Sequence, residues 1–125
     1  MAIERHQTRI GQNVNGRQMP SMSGIVVHGD TIYLAGQVGH GAAVEIKAQT
    51  KVILDNIDAQ LASVGSDKSK ILSANLWITD FANFGGLNEV WNAWIDPDNM
   101  PVRACVRSEL ASPDFLIEIM ITAAK

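Results

Sequence analysis

The sequence has 125 residues and a net charge of −3, with 46% hydrophobic and 18% charged residues. This length predicts a single domain over residues 1–125 with a buried core, and the composition excludes an intrinsically disordered chain. The acidic balance, with a pI of about 5.5, lacks the basic surface that nucleic acids or anionic membranes attract, so neither partner is expected.

The N-terminal part of the chain is predicted to contain a short strand and a long loop. Residues 3–8 favour a first strand. Residues 11–24 contain three glycines, two asparagines and a proline, which is a loop composition. We expect residues 11–19 to form a mobile loop and residues 20–24 to fold over a site.

A β-hairpin followed by a glycine-rich segment comes next. Residues 25–28 and 31–35 are rich in β-formers and flank Gly29-Asp30, a dipeptide typical of a tight turn. Residues 36–41 contain three glycines, which let the backbone come close to another group. This segment is not a phosphate-binding loop, because no Gly-Lys-Ser/Thr follows. It is not a dinucleotide-binding fingerprint either, because the glycine spacing differs.

Two amphipathic helices and an intervening strand are predicted in the middle of the chain. Residues 45–64 favour the first helix, which Gly65 can terminate. Residues 71–79 favour a strand, and residues 81–95 favour a second helix that Asp80 can cap. The apolar positions recur every three or four residues and are Ile46, Thr50, Ile53, Ile57, Leu61 and Val64 in the first helix and Phe84, Leu87, Trp91 and Trp94 in the second.

Two final strands, over residues 102–107 and 115–122, are separated by a short turn, and adjacency alone suggests a hairpin. Strand alternation places Arg103 with Cys105 on one face of the first strand, and Glu118 on the more polar face of the second. A guanidinium suits a ligand carboxylate, and a nearby carboxylate can handle a proton or a water molecule. A cross-strand ion pair and two unrelated solvated charges are the alternatives, and the residues alone leave them open.

The order of elements predicts an α+β domain with both helices on one face of a sheet. The other sheet face would carry Trp77, Cys105, Leu116 and Met120, which is too apolar for exposure to water. We therefore expect a homo-oligomer that covers this face and has clefts between its chains.

Metal and thiol chemistry are not expected. His6, His28 and His40 are too scattered for a ligand triplet. Cys105 is interpreted as a packed thiol rather than a nucleophile, and a single cysteine suits a reducing compartment. No signal peptide and no membrane-spanning apolar run is recognised in the sequence, so a soluble, cytoplasmic protein is expected.

Five segments then carry a more specific signal: I-Y-L-A-G-Q-V-G (32–39), A-Q-T-K-V-I-L-D-N-I (48–57), T-D-F-A-N-F-G-G-L-N-E-V-W (79–91), M-P-V-R-A-C-V (100–106) and L-I-E-I-M (116–120). In order and spacing they resemble the reactive intermediate deaminase (Rid) family, also called the YjgF/YER057c/UK114 family. The resemblance covers about residues 20–124. Its most specific element is P-x-R-A-x-V with an acidic I-E-I strand fifteen residues on.

The resemblance implies a chorismate-mutase-like α+β fold with a mixed sheet and two helices on one face. It implies a homotrimer in which three sheets form a central barrel with the helices outside, and in which the sites lie in the clefts between subunits. It also implies that the strand over residues 71–79 lies between the strands of Arg103 and Glu118, in place of a hairpin.

The activity that the resemblance implies is hydrolysis of reactive 2-imino acids and their enamine tautomers, such as 2-aminoacrylate, to 2-keto acids and ammonia. No metal or cofactor is implied. The family arginine that binds the substrate carboxylate corresponds to Arg103, and the glutamate that orients or activates water corresponds to Glu118. The other substrate-binding positions of the family correspond to Gly36, Asn88 and Cys105, with backbone contacts at Gly36 and Cys105.

Two positions depart from the family pattern. Met22 stands where the family has a tyrosine, and Ala35 stands where it has a serine before the strand-end glycine. Both positions would line the pocket, so the departures affect the choice of substrate and the rate, and leave carboxylate binding intact. A non-catalytic or chaperone-like protein that binds small carboxylates is the alternative on the same fold. Endoribonuclease activity, ascribed to some relatives, is disfavoured by the acidic pI.

Overall fold

The computed structural model of the protein describes residues 1–14 and 17–125, and the side chains of residues 1–8 and 21–125. These residues form nine β-strands, two α-helices and two short 3-10 turns. The strands are β1 (Ile3–His6), β2 (Arg9–Val14), β3 (Arg17–Met22), β4 (Ile25–His28), β5 (Thr31–Leu34), β6 (Gln37–Val38), β7 (Ile71–Ile78), β8 (Val102–Arg107) and β9 (Ile117–Ala124), and the helices are α1 (Ile46–Ser63) and α2 (Phe84–Trp94).

Seven of the strands form one mixed sheet in the order β1-β4-β5-β9-β7-β8, with β6 also paired to β9. Strands β7 and β8 run parallel, with α2 in the connection between them, and the other pairs are antiparallel. Because β7 lies between β8 and β9, the hairpin suggested by adjacency is wrong. The strand order implied by the family resemblance is confirmed.

Helices α1 and α2 cover one face of this sheet, which we call the helix face, and the opposite face is the open face. The core between the helices and the sheet confirms the predicted α+β arrangement. Among the described residues, neither helix has the length and apolarity needed to cross a membrane. The core includes Ile53, Ile57 and Leu61 of α1, Leu87 and Trp91 of α2, Leu76 and Ile78 of β7, and Ile117, Ile119 and Ile121 of β9.

The second helical segment differs slightly from its prediction. A 3-10 turn over Phe81–Asn83 precedes α2, and the Asp80 carboxylate accepts a hydrogen bond from the Ala82 N–H at 2.8 Å, as a capping residue does. Phe84 was predicted on the apolar face of the helix, but it lies at the margin of the core and is 36% exposed. That position brings its ring to the edge of the sheet.

The segment predicted as a loop over residues 11–24 contains strand structure. Strands β2 and β3 pair antiparallel with each other and form a two-stranded sheet that is separate from the main one. Pairing satisfies the backbone groups there in spite of the Gly- and Asn-rich composition on which the loop prediction was based. Residues 15–16 of the predicted mobile loop lie outside the described residues, and the mobility of residues 11–19 stays a prediction.

The open face is apolar in part: it carries Trp77 and Met120 on neighbouring strands, with Glu118 paired to the first and Asn75 to the second. Two assignments to this face are wrong. Cys105 pairs with the core residue Leu76 and therefore lies on the helix face, and Leu116 precedes β9 and packs against the core. In edge strand β8, Val102 and Val106 lie on the open face instead. The prediction failed because both faces of β8 are partly apolar, and alternation alone does not tell which of them meets the helices.

Candidate functional site

Arg103 lies on the helix face of β8, beside Ala74 of β7, and α2 covers it. Its Nη2 donates a hydrogen bond to Asn88 Oδ1 at 2.8 Å. Its Cζ lies 5.4 Å from the Trp91 ring centroid and 5.9 Å from that of Phe84. The guanidinium is therefore held by one amide and two aromatic rings, on the face where the helices pack.

Helix α2 presents these three side chains together because of their spacing. Phe84, Asn88 and Trp91 are four and then three residues apart, so they project from one side of the helix. Trp91 is largely buried in the core, whereas Phe84 is at the surface. The sequence analysis interpreted both aromatic residues as core residues only. Their helical spacing with Asn88 was the available signal for a role at the site.

Cys105 follows Arg103 on the same face and is partly buried against the core. Burial raises the pKa of the Cys105 thiol, and the positive charge of Arg103 opposes this rise to a smaller extent. A raised pKa keeps the thiol protonated at neutral pH, which suits a packed side chain better than a nucleophile.

A recess of about 380 Å³ lies beside the Arg103 guanidinium. It is small enough for a metabolite of a few carbon atoms, and it combines apolar walls with two carboxamide groups. The recess is lined by Asn88, Trp91, Asn92, Ile95, Met100, Pro101 and Arg103.

Glu118 lies on the opposite, open face of the sheet. In β9 it alternates with the buried residues Ile117 and Ile119, and it pairs with Val38 on one side and Trp77 on the other. Its carboxylate lies against the backbone of Gly36, so that a Cβ built on Gly36 would overlap the carboxylate oxygen. A glycine at this strand end therefore allows the Glu118 carboxylate to lie here, whereas a larger residue would make the carboxylate rotate away.

Gln49 of α1 anchors the segment that leads into β9. Its Nε2 donates to the Asp114 carbonyl at 2.7 Å, and its Oε1 accepts from the Leu116 N–H at 2.8 Å. Gln49 itself is buried, and both hydrogen bonds are partly shielded from water. Sequence analysis missed this role, although a glutamine beside Thr50 on the apolar face of a helix was a visible signal.

Within one chain, the structure brings the predicted site residues together in two groups and not in one. Arg103, Asn88 and Cys105 lie on the helix face, whereas Gly36 and Glu118 lie on the open face. Strand β7 separates the two groups. Arg103 and Glu118 form no ion pair among the described residues, so the alternative of a cross-strand ion pair is wrong.

The two positions that depart from the family pattern lie at the ends of strands. Met22 is the last residue of β3 and is 44% exposed. Ala35 follows β5, is buried, and donates its N–H to the Gly24 carbonyl at 2.9 Å. Ala35 therefore immediately precedes the Gly36 backbone against which Glu118 lies.

A larger recess of about 600 Å³ lies elsewhere, beyond the carboxyl end of β8. Arg107 and Thr79 contribute to it, but none of the predicted site residues does. Its size alone does not make it a better candidate, because the predicted site residues of the helix face lie around Arg103. Among the described residues, no group of three His, Cys, Asp or Glu side chains is close enough to hold a metal ion.

Comparison with known proteins gives consistent similarities. Residues 18–125 match the model of the family described as Endoribonuclease L-PSP. A RutC family protein of Haemophilus influenzae is 40% identical over 111 residues, which is 86% of this chain and 95% of that protein. The RutC family protein YoaB of Escherichia coli K12 is 37% identical over 102 residues, which covers 82% of this chain and 89% of the relative.

Solved structures extend the similarity to the fold. The crystal structure of a member of the YjgF protein family from Neisseria meningitidis superimposes with a TM-score of 0.89 and 34% identity, over 100% of this chain and 96% of that chain. A member of the YjgF/YER057c/UK114 family from Mycobacterium tuberculosis gives a TM-score of 0.76 and 27% identity, over 83% and 86% of the two chains. The α+β fold implied by the sequence is therefore confirmed.

Proposed function

The chain belongs to the Rid (YjgF/YER057c/UK114) family, and we propose that it hydrolyses reactive 2-imino acids and their enamine tautomers to 2-keto acids and ammonia. Arg103 is the anchor for the substrate carboxylate and Glu118 directs the attacking water. Asn88, Cys105 and Gly36 complete the site, with backbone groups at the last two.

The observation that carries this proposal is the division of the site residues into two groups. Among the described residues, the guanidinium of Arg103 forms no ion pair with a carboxylate, and the carboxylate of Glu118 forms no ion pair with a cationic side chain. Each group is one half of a site, and the two halves face different sides of the sheet. A site between subunits joins the Arg103 half of one chain to the Glu118 half of its neighbour.

The open face supports the same assembly. Val102 is 73% exposed, Val106 is 50% exposed and Met120 is 41% exposed in the single chain. Exposed apolar side chains on one face of a sheet are often covered by another protein surface. We propose a homotrimer in which three copies of this face form the centre, and we expect light scattering to give a mass near three times 13.5 kDa. A monomer at micromolar concentration would contradict it.

The proposed reaction needs only groups that this chain supplies. The guanidinium of Arg103 binds the carboxylate of the imine through its planar fork and fixes the position of the imine carbon. As the water oxygen bonds to that carbon of the protonated imine, Glu118 accepts a proton from the water and the C=N π electrons move to the nitrogen, which gives a neutral carbinolamine. Glu118 then returns the proton to the nitrogen. The C–N bond breaks as the carbinolamine hydroxyl gives its proton back to Glu118 and its oxygen forms the C=O bond, so that ammonia leaves and the 2-keto acid remains.

The alternative is a non-catalytic or chaperone-like protein that binds small carboxylates at Arg103 alone. This alternative predicts binding of 2-keto acids without turnover of imines. The family model is described as Endoribonuclease L-PSP, but the net charge of −3 does not favour RNA as a ligand.

The decisive assay measures ammonia release from freshly generated 2-aminoacrylate, with pyruvate formation as a second readout. Glu118→Gln keeps the size of the side chain and removes the base, so turnover should fall by about 100-fold or more while the affinity for pyruvate changes little. Glu89→Gln is the control, because Glu89 is an exposed glutamate of α2 that pairs with Lys47. Saturable binding of pyruvate by a wild-type protein that releases no ammonia would favour the alternative.

Mixing two inactive variants tests whether the two halves come from different chains. In a trimer refolded from equal amounts of Arg103→Ala and Glu118→Gln, about one quarter of the sites would combine two intact halves, so about one quarter of wild-type activity should return. If each chain holds a complete site, the mixture should stay as inactive as its components. That result would contradict the placement of the site between subunits.

A further inference from the structure

We infer that Phe84, together with Trp91, forms an aromatic clamp that fixes the plane of the Arg103 guanidinium and thereby sets the affinity of the site for carboxylates. The two are positioning residues and do not touch the substrate carboxylate themselves. This inference rests on the proposed role of Arg103 as the carboxylate anchor.

The geometry of the clamp combines three contacts on one side chain. The Arg103 Cζ lies 5.4 Å and 5.9 Å from the two ring centroids, within the range of a cation–π interaction. Asn88 Oδ1 accepts from Nη2 at 2.8 Å. The guanidinium carbon lies over both rings, and the amide oxygen of Asn88 accepts from one of the guanidinium N–H groups. The remaining N–H groups have no acceptor among the described residues and can bind a carboxylate as a fork.

Holding the plane matters because a bidentate contact is directional. Arginine has several rotatable bonds. An arginine side chain that rotates freely on an edge strand loses entropy when it binds a ligand. Aromatic contacts that are already formed in the free protein reduce this loss. Removing one ring should therefore weaken carboxylate binding by about three- to tenfold, the scale of one cation–π contact at a partly exposed position.

Phe84 is the informative position, since it is 36% exposed and its replacement should leave the core intact. In Phe84→Leu we expect the KM for the imine and the Kd for pyruvate to rise by about three- to tenfold, with kcat changed by less than about twofold. Phe84→Tyr keeps the ring and should restore wild-type values. Trp91 is a buried core residue, so its variants would mix positioning with folding and are less suitable.

Phe81→Leu is the matched control. Phe81 is an exposed phenylalanine one helical turn away, and its ring contacts that of Phe84 at 5.9 Å. No contact between its ring and the guanidinium of Arg103 occurs among the described residues. This variant should bind pyruvate within about twofold of wild type, because it removes neither of the rings that lie beside the guanidinium.

The Nε–H resonance of Arg103, assigned with an Arg103→Lys variant, reports on the clamp directly. In Phe84→Leu its ring-current shift should decrease and its order parameter should fall, and neither should change in Phe81→Leu. Equal effects of the two leucine variants, or an unchanged Arg103 signal in Phe84→Leu, would overturn the inference. Neither the Kd nor the resonance requires turnover, so an inactive wild-type protein would refute the proposed activity and leave the clamp testable.

Discussion

The two charged residues proposed for the site are held by different parts of the protein. Arg103 is fixed by side chains, namely the amide of Asn88 and the rings of Phe84 and Trp91. Glu118 is fixed by backbone, because it projects from a paired strand and lies against the bare Cα of Gly36. One half of the site thus depends on which side chains α2 presents, and the other depends on the absence of a side chain.

This difference predicts different sensitivities to substitution. The function of Arg103 should be sensitive to truncation of the side chains around it, and the loss should grow with the contact that is removed. The position of Glu118 should respond to the addition of atoms at Gly36, because a Cβ there would displace the Glu118 carboxylate. Substitutions of both kinds test this difference between Arg103 and Glu118.

The largest effect is expected from removing the cation itself. Arg103→Ala should lower kcat/KM by about 1,000-fold or more, because the imine carbon is no longer held in front of the water. Arg103→Lys keeps the charge but not the planar fork, and should still lose about 10- to 100-fold. Arg107→Ala is the control, since Arg107 is an exposed arginine on the same face of β8. Wild-type ammonia release by Arg103→Ala would remove Arg103 from the site.

A smaller but still large effect is expected from adding one methyl group. Gly36→Ala places a Cβ against the Glu118 carboxylate, so the carboxylate must move, and turnover should fall by about tenfold or more. Gly85→Ala is the matched control, because a Cβ there meets nothing within 4 Å. The two variants should be compared for kcat and for thermal midpoint. Equal kcat values would show that the position of Glu118 against Gly36 is not required.

Much of the fold followed from local patterns, because burial and secondary structure obey the same periodicity in α1 and β9. In β7 they do so only from Ala74 onward, since a register shift before it leaves Leu72 exposed. The hydrophobic stripe of α1 and the alternation in β9 both correspond to buried residues in the structure. These elements lie in the middle of the fold, where local preference and tertiary packing agree.

The division of the site could not be read from the residues alone. Alternation correctly placed Arg103 with Cys105 and away from Val102, but it could not say which face of edge strand β8 meets α2. Nor could it reveal that β7 separates Arg103 from Glu118, since strand order depends on long-range pairing. Neighbours such as Phe84 become visible only when the helix is placed on the sheet.

Substitution of Gln49, which anchors the segment that leads into β9, should lower the stability of the protein rather than change the chemistry at Glu118. Gln49→Leu removes two partly buried hydrogen bonds and leaves the Asp114 carbonyl and the Leu116 N–H without their partner. The free energy of unfolding should fall by about 1–3 kcal/mol, as expected for the loss of two such hydrogen bonds. Gln60→Leu is the contrast. The Oε1 of Gln60 has no hydrogen-bond partner among the described residues, and its Nε2 donates one hydrogen bond, to Gln7 Oε1 at 3.0 Å. Because Gln7 is exposed and can bond to water instead, this variant should lose less stability. Denaturant unfolding of both variants measures the difference, and equal losses would contradict the anchoring role of Gln49.

The smallest effect on stability and assembly is expected from changes in the segment that contains β2 and β3. Strands β2 and β3 pair with each other and do not join the sheet that carries Arg103 and Glu118, within the residues that the structure describes. Replacing residues 11–19 by a short glycine-containing turn should therefore leave the main sheet and the assembly intact, with a thermal midpoint within about 3 °C of wild type. Light scattering and thermal unfolding check both points. Dissociation or unfolding of the shortened chain would mean that this segment supports the main sheet or the contact between subunits, and that its glycine- and asparagine-rich composition was misinterpreted.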